Sequence, residues 1–188
     1  LFHAEVDMPI YVENNSPLLG KMRQMVLVDD IREIQLIKNR LWNGVHAMTT
    51  WYATRLGYET IGLAMADPKV REFMEGLLEE VKAGLTLTLP HRKNDLADLA
   101  QSFINSCVNA YKDPCERVAR DPLRKLAASE RVLGSIACNI QQGLPYQNLS
   151  QGALYGYYYS IQQKDISYGE AIEHLKIQLG QSGLNEQH

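Results

Sequence analysis

Three polar residues of different chemical type, Lys38, Asn43 and His46, fall within the stretch KNRLWNGVH (38–46), inside a run that otherwise looks built to pack. A lysine in a partly desolvated pocket gives up its proton more readily and can act as a general base. An asparagine amide can donate to an oxygen as negative charge develops on it. A neutral histidine can orient a substrate hydroxyl. Together they could manage the proton and the oxygen of an alcohol being oxidised or a ketone being reduced, the hydride going to a cofactor supplied from elsewhere. The plainer reading is a solvated lysine, a locally bonded asparagine and a satisfied core histidine.

Either reading needs an element that aligns the three. The segment VDDIREIQLIKNRLWNGVHAMTTWYATRLG reads as one long helix, with Asp29 and Asp30 able to cap it and Gly57 to stop it. At about 100° per residue, Lys38, His46 and Asn43 would point near about 0°, 80° and 140° around its axis, within one broad face. A glycine in mid-helix costs about 1 kcal/mol against alanine. Gly44 is therefore expected where something approaches the backbone closely.

The rest of the chain supplies the scaffold. FHAEVD and IYVEN look like short extended segments, and NNSPLLGK like a loop. YETIGLAMA reads as a short helix. DPKVREFMEGLLEEVKAGL opens with Asp67 as cap and Pro68 in the first turn, and Val70, Phe73, Met74, Leu77, Leu78 and Val81 keep helical spacing. A further helix is expected from Asn94. Asp113 and Asp121, each followed by proline, are expected to cap two more, and another should run from Ser129 to Gly143. YQNLSQGALYGYYYSIQ and SYGEAIEHLKIQLGQSGL complete the series. The tyrosines of GALYGYYYS are read as core residues with hydroxyls at the edge. The chain is expected to be mostly α, a multihelical domain spanning residues 1–188 with a short extended N-terminal segment.

Composition excludes several classes. The chain has 188 residues, 45% hydrophobic, with a formal net charge of −3. That is ample for a core and gives no reason to expect nucleic acid. No apolar run reaches the roughly 20 residues of a membrane span, and no membrane partner is expected. The three cysteines form no CxxC pair, which fits reduced thiols and a cytoplasmic location. His3, His91, His174 and His188 show no ligand spacing, so no metal is expected. There is no GxGxxG and no GxxxxGK[ST], so no dinucleotide cradle is expected in this chain. Together with a first residue that is Leu, this suggests one domain of a longer protein.

Arg117, Arg120, Arg124, Lys125 and Arg131 crowd into fifteen residues of a nearly neutral sequence. Arginine forks suit a phosphate or carboxylate. The alternative is a solvated face paired with Asp113, Glu116 and Asp121.

Lys-x4-Asn-x2-His resembles the catalytic signature of the polyol-specific long-chain dehydrogenases, the mannitol dehydrogenase family. YKDPCERVARDPLRKLAASERVLGSIACNIQQGLPYQNL is similar to the corresponding stretch of the branch acting on mannitol 1-phosphate. The shared features are the PLRKL core, an arginine near Arg131 and the GLP-x-x-NL ending. The two matches are in register and extend over roughly residues 30 to 160. Gln35 stands where some mannitol 2-dehydrogenases carry an acid, and Tyr146 where the phosphate branch has a histidine.

The resemblance implies a helical C-terminal domain like that of 6-phosphogluconate dehydrogenase, and a separate N-terminal Rossmann domain that binds NAD. It implies Lys38 as general base or acid, Asn43 as oxyanion donor and His46 as substrate ligand, with Arg124, Lys125 and then Arg131 as residues binding a substrate anion. The expected partner is a sugar alcohol or sugar phosphate, with mannitol 1-phosphate first. A hexuronate reductase or a mannitol 2-dehydrogenase is the alternative within the family, and a non-catalytic helical interaction domain the alternative outside it. The isolated domain is expected to be inactive and the protein monomeric.

Overall fold

The computed structural model describes residues 10–14, 25–109 and 113–184. The FHAEVD segment, most of NNSPLLGK, His3 and His188 lie outside them. The chain divides into two compact units, Leu1–Lys38 and Asn39–His188.

In the first unit, β1 (Ile10–Glu13) pairs in parallel with β2 (Met25–Val28), Ile10 opposite Met25 and Glu13 opposite Val28. The strand at Met25–Val28 was not anticipated. MVLV is too short and too uniformly apolar to show a period of two, so strand and helix cannot be told apart there. The helix α1 (Ile31–Ile37) follows, and the Asp30 carboxylate caps it by accepting from the Arg32 amide at 2.8 Å.

The expected single long helix is instead three successive segments: α1, a π-helical stretch over Lys38–Gly44, and α2 (Val45–Arg55). Hydrogen bonds from i to i+5 replace the α pattern in the middle segment. The angles computed at about 100° per residue therefore do not hold across it. Gly57, at φ 88°, marks the stop as expected.

The second unit is built around α2, which packs against α4 (Pro68–Thr88), α6 (Cys115–Ala119) and α9 (Gln147–Gln162). Val45, Ala47, Met48, Trp51 and Ala53 are all buried, so α2 is enclosed rather than amphipathic. Two α9 glycines let it approach. A Cβ on Gly152 would lie 2.5 Å from Met48 Sδ, and one on Gly156 would lie 2.7 Å from Trp51 Cζ3. The Trp51 indole donates to the Ala119 carbonyl at 3.0 Å, tying α2 to α6.

Local signals hold well where a cap is self-contained. Asp67 accepts from the Lys69 amide at 2.8 Å and Pro68 opens α4. Ser167 and Glu170 form a reciprocal capping box on α10 (Tyr168–Gln181). The short helix near residue 60 is α3 (Ile61–Ala64), capped by Thr60. Other boundaries moved. Asn94 caps nothing, because a 3-10 turn over Pro90–Arg92 leads directly into α5 (Lys93–Asn109).

Asp113 is not a cap either. A bridge pairs Thr60 with Pro114, and the Cys115 amide donates to the Glu59 carbonyl at 2.8 Å. This holds residues 113–115 extended, so α6 starts only at Cys115. Asp121 precedes α7 (Pro122–Lys125) in a left-handed conformation, φ 52°, and makes no side-chain cap. The helix expected from Ser129 is α8 (Leu133–Gln141), ending before Gly143 at φ 66°. Tyr157 and Tyr159 are buried, while Tyr155 stacks on Tyr52 with ring centroids 4.9 Å apart.

Candidate active site

Lys38 is the last residue of the first unit and is exposed. Asn43 and His46 belong to the second unit. Asn43 is half-buried, and its amide makes no hydrogen bond to another described residue. Next to it, Gly44 meets the backbone of Arg131. A Cβ on Gly44 would lie 3.1 Å from the Arg131 carbonyl oxygen, the close approach that a glycine at this place suggests.

His46 lies in the first turn of α2, and its backbone carbonyl accepts from Thr50 Oγ1 at 2.7 Å. The ring lies edge-on to Phe103 with centroids 5.7 Å apart, and Phe103 in turn meets Trp42 edge-on at 5.3 Å. Burial pushes the His46 pKa down to about 4. Asp113 opposes the shift, while Arg117 and Lys125 add to it. At neutral pH the ring is therefore uncharged, with one nitrogen a donor and the other an acceptor. Nε2 is buried without a hydrogen-bond partner among the described residues, and the nearest carboxylate oxygen, Asp113 Oδ2, is 3.9 Å away. Asp113 itself is held by Arg117 through two bonds of 2.7 Å.

The basic cluster separates into distinct roles. Lys125 is buried and its ammonium donates to the Val118 carbonyl at 2.6 Å and to the Arg120 carbonyl. Burial, then the charges of Arg131 and Arg124, lower its pKa to about 8. Its first role is to fasten the end of α6 to α7. The Arg131 side chain is largely buried and reaches Glu130 Oε2 only at 3.4 Å. Arg124 is exposed, lining an open groove of about 710 Å³ with Arg120, Glu116, Asp121 and Asp165. Asn43, His46 and Arg131 do not line that groove. Arg117 forms the ion pair that a solvated face would predict.

Sequence reasoning read Asp113 both as a helix cap and as an ion-pair partner of the basic cluster; the structure shows the second, through Arg117. His174, set aside as weak, accepts or donates to the Tyr157 hydroxyl at 2.9 Å and joins α10 to α9. Among the described residues no group of histidines, cysteines and acids could hold a metal ion, and no helix is long and apolar enough to cross a membrane.

A mostly helical domain with an uncharged histidine and an unspent asparagine amide around a π-helical stretch is the class these features define. Over residues 30–179 the chain matches the mannitol dehydrogenase C-terminal domain, and it belongs to that family. Its fold is similar to that of Pseudomonas fluorescens mannitol 2-dehydrogenase, solved as a ternary complex with NAD and D-mannitol. The TM-score is 0.58 at 22% identity over 73% of this chain. The matched region accounts for 27% of the length of that protein.

Proposed function

We propose that this chain is the substrate-binding and catalytic half of an NAD-dependent dehydrogenase interconverting a polyol, or a polyol phosphate such as mannitol 1-phosphate, with its ketose. The observation that carries the reading is His46: neutral, largely buried, and three residues after an asparagine with a free amide. A π-helical segment is rare, and is found frequently at functional sites.

The described strand-to-helix junction of this chain, from β2 into α1, does not fit a dinucleotide: it carries Asp29 and Asp30, and the Asp30 carboxylate already occupies the helix N-terminus. A pyrophosphate needs that place free and glycine-lined. NAD, the hydride acceptor, is therefore assigned to an N-terminal Rossmann domain of the full-length protein. The assigned roles within this chain are local. Lys38 takes the alcohol proton, the Asn43 amide donates to the oxygen as charge develops, and His46 accepts from a substrate hydroxyl and fixes its orientation. The test is NAD-linked turnover by the full-length protein across D-mannitol, mannitol 1-phosphate and a hexuronate-derived alcohol. No turnover with any polyol would end this reading.

A second reading within the family is favoured by the groove at Arg124. Three acids, Glu116, Asp121 and Asp165, line it with Arg120 and Arg124, so the surroundings of Arg124 are not net positive and do not suit a dianion. Arg124→Ala separates the two. If Arg124 clamps a phosphate, the Michaelis constant for mannitol 1-phosphate should rise roughly ten- to a hundredfold, as loss of a charge-assisted bond worth about 1.5–3 kcal/mol implies. D-Mannitol should be barely affected. Equal, small effects on both substrates would favour the neutral polyol and leave Arg124 a solvated residue.

A further inference from the structure

His46 raises a question that its assigned role does not answer. An imidazole that orients a substrate must itself be held in one rotamer and one tautomer. Phe103 restricts the ring by an edge contact but supplies no hydrogen bond. Nε2 has no partner among the described residues, and a buried polar atom left so costs about 1–3 kcal/mol. The gap to Asp113 Oδ2 is 3.9 Å, roughly one ångström beyond a charge-assisted bond. The carboxylate is not free to swing away. Both its oxygens are held by Arg117, Oδ1 by Nε and Oδ2 by Nη2, each at 2.7 Å. The backbone at Asp113 is fixed as well, because its carbonyl accepts from the Ile61 amide at 3.1 Å. Asp113 is thus a pinned carboxylate facing an unsatisfied ring nitrogen. A carboxylate can only accept, so the nitrogen that meets it must carry the proton.

We propose that Asp113 is the positioning residue for His46: from 3.9 Å its negative charge favours the proton on Nε2 and thereby leaves Nδ1 as the acceptor for a substrate hydroxyl. Arg117 holds the carboxylate in place, so the order of support is Arg117, Asp113, His46, substrate. The kinetic part rests on the role given to His46 above; the tautomer does not.

Nitrogen NMR of the full-length protein with isotope-labelled histidine tests the tautomer directly. His46 is assigned by the signal lost in His46→Asn. The expected result at neutral pH is the Nε2–H form in the wild type and a smaller share of it in Arg117→Gln, which keeps the carboxylate but releases it. Asp113→Asn should give a mixture. An Nδ1–H wild type overturns the proposal even if no variant folds, and so does an Asp113→Asn spectrum that reproduces the wild type. In kinetics, Asp113→Asn should lower kcat/KM roughly ten- to a hundredfold, the scale of a misplaced group. The double variant with His46→Asn should be no worse than His46→Asn alone. Additive losses would mean that Asp113 does not act through His46. If His46→Asn alone leaves kcat/KM within about threefold, the catalytic reading of His46 falls, and the tautomer result still decides the contact.

Discussion

Lys38→Ala in the full-length protein is expected to lower turnover about a hundredfold or more, the scale of general acid–base catalysis. Small exogenous amines should restore part of it, because the missing group is a proton carrier and not a packing element. Lys38 is exposed in this chain, so its removal leaves no cavity in the described core. Stability should therefore stay within the range of ordinary surface substitutions, about 0.5 kcal/mol. The combination of large kinetic loss, little thermal change and amine rescue separates a base from a scaffold residue. Turnover kept within about threefold would remove Lys38 from the mechanism.

The residue types of the candidate site stood out in the sequence; the local backbone that carries them did not. Lys38, Asn43 and His46 stand out because packing alone does not call for three polar groups at that spacing. The π-helical segment that carries Lys38 and Asn43 has no sequence signature comparable to a capping box or an Asp-Pro opening. The helices α4 and α10 were readable because their caps are made by neighbours in sequence. Asp113 misled because its backbone is held extended by a tertiary partner: the bridge between Thr60 and Pro114 joins segments far apart in the chain, which no local pattern records. Lys125 shows the same limit from the other side. PLRKL resembles an anion-binding motif, and nothing in it tells that the ammonium donates to two backbone carbonyls.

Glu80 carries the second large expectation, this time on stability. It sits among Leu77, Leu78 and Val81 on the apolar face of α4 and is only 6% exposed. A charge there must be matched. Its Oε1 accepts from the Asn148 amide at 2.9 Å and from Asn148 Nδ2 at 2.8 Å, and its Oε2 accepts from the Leu149 amide at 2.9 Å. These amides belong to the first turn of α9, whose own cap position, Tyr146, makes no side-chain cap. Glu80 is thus the cap of α9, supplied from α4, with its negative charge at the positive end of the helix. Glu80→Ala leaves the Asn148 amide, Asn148 Nδ2 and the buried Leu149 amide without their acceptor and should cost about 3–5 kcal/mol. For a chain of this size the unfolding midpoint should fall by roughly 10 °C. Glu80→Gln retains one acceptor oxygen and should fall between. Glu79, one residue earlier, is exposed and paired with Lys82 on the surface, so Glu79→Ala should move the midpoint by no more than about 2 °C. Because α9 packs on α2, which carries His46, Glu80→Ala should lose activity on warming at the same temperature at which its helical circular dichroism is lost. Equal midpoints for Glu79→Ala and Glu80→Ala would show that α9 does not depend on a cap from α4.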